Sequence, residues 1–226
     1  MNIVVLCGGT STEREISLRS STKVSKALKS KGHEVVMTDV FFGSKEMPSF
    51  PENQDYEKTA DELRGMNHLI TDELIAKTGL FGPNVLEICR KADIVFIGLH
   101  GENGEDGKIQ AAFDKENIKY TGSGSQSSAI AMDKSKTKRI VSDHIRMPKG
   151  IVLRKGEPVP EDIQIPCVIK PNNGGSSVGV MLVFDHDSFK EKLDECFGYD
   201  STVLIEEYIE GRELTQAVLD GTALPP

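Results

Sequence analysis

Several short stretches of this chain set carboxylates, lysines or a histidine beside clustered glycines, and each suits a different piece of ligand chemistry. The first, Asn2 to Ser21, reads NIVVLCGGTSTEREISLRSS. An apolar run, Ile3 to Cys7, enters Gly8-Gly9 and leaves into a charged pattern with helical spacing. A strand, a glycine turn and a helix commonly bind phosphate, yet neither G-x-G-x-x-G nor G-K-[ST] is present. The helix opens instead on Glu13, Arg14 and Glu15. An acid in a first helical turn is already favoured by the helix dipole. A carboxylate at the mouth of a sheet also pairs with a substrate ammonium group, and Glu13 is the candidate for it.

The second stretch, His100 to Gln110, is HGENGEDGKIQ and follows the apolar run DIVFIGL. Its glycines let backbone approach a ligand. Asp106 suits a helix cap and Glu105 a solvated surface, whereas His100 ends a strand and faces the expected crevice. The third, Val168 to Val180, is VIKPNNGGSSVGV. A strand ends in Lys170, and the loop that follows offers amides and hydroxyls to phosphate oxygens. Asn-Asn-Gly-Gly is also good hairpin composition. The fourth, Val203 to Thr215, is VLIEEYIEGRELT. Glu206, Glu207 and Glu213 around an edge strand suit the amino group and ribose hydroxyls of a purine nucleotide, or a plain hairpin. Lys134, in AMDKSKTK, adds a cation that on its own is a helix-surface lysine.

These stretches need elements to carry them. Ile3–Leu6 reads as a buried strand, and Thr12 with Glu15 reads as a capping box. Ile16, Ser20, Val24, Ala27 and Leu28 line one helical face, which Gly32 ends. His33–Val40 is a second strand. Between Phe41 and Asn67 the pattern is lost among Gly43, Pro48, Pro51 and Gly65, as in an excursion. Helical patches follow at Leu69–Lys77 and Pro83–Arg90, the second opened by Pro83. Asp93–Leu99 reads as a central strand, a helix places Ile109, Ala112 and Phe113 together, and Ile118–Thr121 is a short strand. This is a parallel α/β layout, whose ligands bind beyond the strand C-termini. One helix over Ser125–His144 carries the chain onward, with Ala129, Met132, Lys136 and Ile140 on one side. From Met147 the pattern is richer in strands: Lys149–Leu153, Ile165–Lys170, Val178–Phe184, Val203–Glu206 and Glu213–Leu219. A helix near His186–Phe197 aligns Phe189, Leu193 and Phe197.

Composition is that of a globular protein of 226 residues, 38% hydrophobic and 27% charged. The formal net charge of −8 argues against nucleic acid or an anionic membrane as the main partner. Cys7, Cys89, Cys167 and Cys196 are widely spaced without C-x-x-C, and read as buried small hydrophobes in a reducing compartment. No run approaches the roughly 20 apolar residues of a membrane span, so a cytoplasmic location is expected.

Together the motifs GGTSTEREIS, HGENGEDGKIQ, YTGSGSQSSAIAMDK, VIKPNNGGSSVGV and EEYIEGRE resemble, in order and spacing, those of the D-alanine:D-alanine ligases of the ATP-grasp superfamily. The resemblance implies a Rossmann-like α/β substrate-binding domain over 1–123 and a helical link over about 124–146. An α+β ATP-grasp subdomain over 124–226 would follow, truncated at its C-terminus. It implies ATP-dependent joining of two D-alanines through an acylphosphate, for peptidoglycan precursors, cell wall biogenesis and cell shape. By match to the motifs, Glu13 holds the ammonium of the first D-alanine, Ile16 touches its methyl, and Ser176 bonds Glu13. His100, supported by Glu105, lies beside the reacting carboxyl. Lys134 and Lys170 neutralise ATP phosphates under Ser177 and Val178. Glu206 and Glu213 bind adenine and ribose, with Glu207 and Ile209 as the connecting edge. The family uses Mg²⁺ or Mn²⁺, and the resemblance sets those ligands beyond Pro226. A homodimer is the expected form of the full-length parent, and little activity is expected of these residues alone. A D-alanine:D-lactate ligase shares the motifs, and a non-catalytic module that binds nucleotide or amino acid is the alternative outside enzymes.

Overall fold

A computed structural model describes residues 1–46, 49–175 and 177–226. Its contacts divide the chain into two units: Met1–Ile140 with Asn173–Val178, and Val141–Asn172 with Gly179–Pro226. The first unit runs β1 (Asn2–Cys7), α1 (Arg14–Ser30), β2 (Glu34–Asp39), α2 (Tyr56–Gly65), α3 (Asp72–Thr78), α4 (Val85–Lys91), β3 (Ile94–Ile97), α5 (Lys108–Glu116), α6 (Ser125–Met132) and α7 (Lys134–Val141).

The sheet of this unit is parallel, in the order β2-β1-β3. The central strand is therefore β1, and the expected central strand at 93–99 lies beside it, extended only by a single bridge from Val95 to Tyr120. That bridge is all that forms of the strand expected over Ile118–Thr121. Alternation along β1 explains why the run is apolar throughout. Val4 and Leu6 pack with Val85, Ile88, Ile109 and Phe113 on one face. Ile3, Val5 and Cys7 pack with Leu18, Tyr56, Ala60 and Leu63 on the other.

Helix α1 departs from the periodicity reading in two ways. It starts at Arg14, and no capping box of Thr12 and Glu15 forms. Ser11 takes over that task, accepting from the Glu13 amide at 3.2 Å. The buried face is Arg14, Ser17, Leu18, Ser21, Thr22 and Ser25, while Ile16 is 42% exposed. Serines face the sheet because the helix lies close against the strand ends, where hydroxyls find carbonyls. Ser17 Oγ donates to Gly98 O at 2.7 Å, and Ser21 Oγ to the same oxygen at 3.2 Å. The expected excursion holds a helix, α2, whose cap Asp55 accepts from the amides of Glu57 and Lys58, each at 3.1 Å. Gln54 pairs its side-chain amide with both backbone groups of Met37 at 2.9 Å, which covers the edge of β2. Asp133 divides the expected helix over 125–144 into α6 and α7, because its carboxylate accepts from Lys136 N at 2.9 Å and caps the second.

The second unit runs β4 (Gly150–Arg154), β5 (Cys167–Pro171), β6 (Met181–Val183), α8 (Phe189–Cys196), β7 (Thr202–Glu207), β8 (Val218–Leu219) and β9 (Thr222–Ala223). An antiparallel sheet in the order β4-β7-β5-β6 packs one face on α8, through Cys167, Ile169, Val183, Val203, Ile205 and Leu193. Phe189 and Phe197 close that core, as their spacing predicts. The strand expected over Glu213–Leu219 reduces to β8, which pairs only with β9 and is exposed. Its Val218 and Leu219 have no packed face to alternate against.

The four cysteines are free and buried. Burial pushes the Cys89 thiol up to about 12 and the Cys196 thiol up to about 11. Burial also raises Cys7, helped by the nearby Asp39 carboxylate. A thiol whose folded value is raised stabilises the fold fully below the ordinary thiol value of about 8.5. That contribution is lost as pH rises through the folded value. The native chain is therefore expected to resist a thiol reagent at pH 8 and to react at all four positions in guanidinium, with unfolding midpoints falling above about pH 9. Rapid labelling of the native chain would contradict this burial.

Candidate active site

The glycine turn after β1 is shaped by a buried ion pair. Arg14 Nη1 meets Asp39 Oδ2 at 2.6 Å, with side chains 8% and 0% exposed. Gly8 and Gly9 both have positive φ, and a side chain on Gly8 would run into the Asp39 carboxylate. Asp39 Oδ1 accepts from the amides of Phe41 at 2.8 Å and Phe42 at 3.1 Å. Arg14 also donates to Gly9 O, Leu63 O and Asn67 Oδ1, and lies 5.2 Å from the centre of the Phe42 ring. Neither Arg14 nor Asp39 stands out in the sequence. The readable signal was a strand ending in an acid and a helix beginning in an arginine.

With Arg14 turned inward, its neighbour Glu13 is left at the mouth of the sheet. A Cβ on Gly101 would lie 2.8 Å from Glu13 Oε2, and one on Gly175 would lie 2.7 Å from it. The carboxylate thus rests against two stretches of bare backbone. No hydrogen bond from another described residue reaches it. Ile16 and Ser20 follow on the same flank of α1, at helical spacings of three and four.

His100 stands just beyond β3 and is held from two sides. Ser11 Oγ donates to its carbonyl at 2.7 Å, and Ser20 Oγ lies 3.1 Å from Nε2. Glu105 does not support the imidazole directly. Its Oε2 accepts from Gly101 N at 2.8 Å, which closes the loop and leaves the ring to Ser20. Asp106 accepts from Asn103 N and Lys108 N, and so folds the loop into α5. Lys134, the first residue of α7, donates to Gly174 O at 2.8 Å within the same unit. Ser177 and Val178 are exposed, and Ser176 lies outside the described residues.

In the second unit Lys170 and Glu206 form an ion pair of 2.5 Å. Val168 lies opposite Glu206 and Leu204 opposite Lys170, so all four share the sheet face away from α8. The pair is unevenly buried, with Lys170 28% and Glu206 5% exposed. Gly150 sits opposite Glu206, where a side chain would meet Ile205 O and Glu206 itself. Glu207 donates its amide to Lys149 O and accepts the Lys149 amide on its side chain. Its backbone donor is therefore already committed to the residue that precedes β4. Ile209 and Glu213 are exposed, Glu213 in an irregular segment away from any strand. Among the described residues, no group of three or more Asp, Glu, His or Cys is placed to hold a metal ion. Nor is any helix of these residues long and apolar enough to cross a membrane.

Residues 2–123 match the family described as D-ala D-ala ligase N-terminus, and residues 147–225 match its C-terminus. The chain belongs to the D-alanine–D-alanine ligase family. A D-alanine–D-alanine ligase of Pediococcus pentosaceus is 40% identical over 100% of this chain and 67% of its own length. The ligase of Lacticaseibacillus casei is 39% identical over 99% of this chain and 65% of its own. A crystal structure of the Bacillus anthracis ligase has a TM-score of 0.73 at 32% identity, covering all of this chain and 63% of that one. Its complex with ATP is similar at 30% identity, with the same TM-score of 0.73 over all of this chain and 64% of that one. The chain thus spans about two thirds of the length of the relatives it matches.

Two substitutions test the charged anchors. Asp39→Ala strands Arg14 in the interior, and equilibrium urea unfolding should show a loss of about 3–5 kcal/mol. A loss under about 1 kcal/mol would mean that Arg14 finds water instead. Lys170→Ala leaves Glu206 without its lysine in a nearly closed face, and should cost about 1–3 kcal/mol in thermal unfolding. Adding Glu206→Gln to that variant should recover part of the loss, and strict additivity would show that the two do not interact.

Proposed function

We propose that the protein carrying these residues joins two D-alanines at the expense of ATP. The observation that carries the reading is Glu13. Its carboxylate is set against the bare backbone of Gly101 and Gly175, with no donor from another described residue, in the loop beside His100. An acid left open at a strand mouth is suited to an ammonium group. Gly101 and Gly175 give the space that an amino acid, rather than a long side chain, requires.

In the reaction we infer, a carboxylate oxygen of the first D-alanine attacks the γ-phosphorus of ATP and ADP leaves. The amine of the second D-alanine then attacks the acyl carbon. The tetrahedral species collapses with loss of inorganic phosphate, and the amine proton goes to solvent or to a nearby base. Glu13 anchors the first ammonium, Ile16 bounds the methyl, and His100 lies by the carboxyl that becomes acylphosphate. Ser176 orders Glu13. Lys134 and Lys170 meet phosphate oxygens, and Ser177 and Val178 cover them. Glu206, Glu207, Ile209 and Glu213 receive the nucleoside. Positioning and charge neutralisation supply most of the rate in such a transfer. The same reading includes Mg²⁺ or Mn²⁺ held by residues other than those described, a cytoplasmic homodimer, and a role in peptidoglycan supply and cell shape.

The test is release of phosphate that requires both ATP and D-alanine, with the dipeptide identified by chromatography. D-lactate and D-serine are offered in parallel as second substrates, since a D-Ala:D-Ser ligase of Enterococcus faecalis is also structurally similar, at a TM-score of 0.68. Glu13→Gln should raise the KM for the first D-alanine about 10- to 100-fold, the loss of one charge-assisted contact, with the KM for ATP little changed. Unchanged D-alanine kinetics in a folded Glu13→Gln protein would leave Glu13 as a helix-dipole residue.

A further inference from the structure

The hydroxyl of Ser20 has two polar neighbours. Ser17 O, one turn back on α1, lies at 3.2 Å, and His100 Nε2 lies at 3.1 Å. A hydroxyl has one proton to give, and a carbonyl oxygen can only accept. Both contacts are hydrogen bonds only if Ser20 donates to Ser17 O and accepts from a proton on Nε2. The rest of the residue is fixed independently, because Ser11 Oγ donates to the His100 carbonyl at 2.7 Å. Among the described residues nothing bonds Nδ1.

We propose that Ser20 is a positioning residue that holds His100 in its Nε2–H form, so that Nδ1 is the nitrogen offered to the substrate carboxyl group. The proton's place follows from the Ser17–Ser20–His100 chain of bonds. The substrate half rests on the ligase reading above. Ser20 does its work through the ring and need not touch the substrate. It is the link between a helix packed on the sheet and a side chain that projects from a glycine loop. Without it the imidazole turns about its own side-chain torsions, and the loop holds only the backbone.

Nitrogen-15 histidine spectra of the chain read this directly. The chain has five histidines, and His100→Gln identifies the resonances of interest. Without ligand, the His100 proton is expected on Nε2, slowed in its exchange with water. Ser20→Ala should quicken that exchange about fivefold, the factor that one hydrogen bond of ordinary net strength supplies. Ser20→Thr should restore it, because threonine keeps the hydroxyl. Alanine is a better helix former than serine, so the variant is not expected to unfold α1. A wild-type ring protonated on Nδ1 alone overturns the proposal, as does a Ser20→Ala spectrum identical to wild type. Addition of D-alanine and ATP should then shift Nδ1 and spare the Nε2 proton. A response at Nε2 instead overturns the proposal. No response from either nitrogen, with the free ring as expected, overturns the substrate half of the proposal and leaves Ser20's hold on the ring standing, whereas the ligase reading is decided separately by the phosphate-release assay.

Discussion

Two opposite charges buried at one point decide how the first unit is built. Taking Arg14 and Asp39 out of water costs several kcal/mol for each ion, and their attraction offsets that only if the remaining donors and acceptors are used. Here most of them are: Asp39 Oδ1 gathers the amides that follow β2, Arg14 gathers carbonyls from the glycine turn and from α2, and Asp39 Oδ2 has, among the described residues, the guanidinium alone. The pair therefore joins segments that the chain leaves far apart. It also explains the paired glycines, since any side chain on Gly8 would occupy the space of the ion pair. Ligand space is a second consequence of the same turn. Because Arg14 faces inward, the residue before it must face outward, and that residue is Glu13.

From that fixed start α1 acts as a ruler. Its serines press against the ends of β1 and β3 by bonding Gly98 O and the Gly8 amide, which donates to Ser17 Oγ at 3.0 Å. Gly98 has no side chain because one there would strike Ser21 Oγ. A helix packed through small polar groups at such short range has little freedom to slide, unlike one resting on long apolar side chains. Residues on its outer flank are set at fixed heights above the strand ends. Glu13, Ile16 and Ser20 occupy successive heights, and Ser20 passes that precision on to His100.

Much of this was legible before the structure, and the misses share a cause. Strands bounded by turns were readable because a buried strand is largely apolar, as Ile3–Leu6 is throughout and Val203–Glu206 is up to its last residue. The face of α1 was misread because periodicity counts serine as solvent-facing, whereas Ser17 and Ser21 are buried with their hydroxyls bonded. Helix α2 was hidden by the prolines and glycines around it, although Tyr56, Ala60 and Leu63 carry a helical period. Asp133 looked like a residue within a helix and is a cap between two. At the site, Glu13, His100, Lys134 and Lys170 could be picked out as charges at strand or helix ends. Their partners could not. Glu105 answers Gly101 rather than His100, and Lys170 answers Glu206, because pairing depends on register and on which faces coincide.

The Lys170–Glu206 pair has a consequence for the nucleotide reading. If Lys170 is to meet a phosphate and Glu206 an adenine amino group, the two ends of the nucleotide are read by side chains that bind each other in its absence. Each is then held in place on the sheet by the other. The cost is competition, since phosphate must draw the ammonium from a carboxylate already at 2.5 Å. A phosphate chain that carries several negative charges can do so, while a single carboxylate offers no comparable gain. Lysine suits this exchange better than arginine would. Its ammonium is a compact point charge on a flexible stem, able to swing between partners, whereas a guanidinium fork would lock onto the glutamate through two parallel bonds. On the proposed reading, the pair suits a ligand that presents several negative charges at one end and a hydrogen-bond donor for Glu206 at the other.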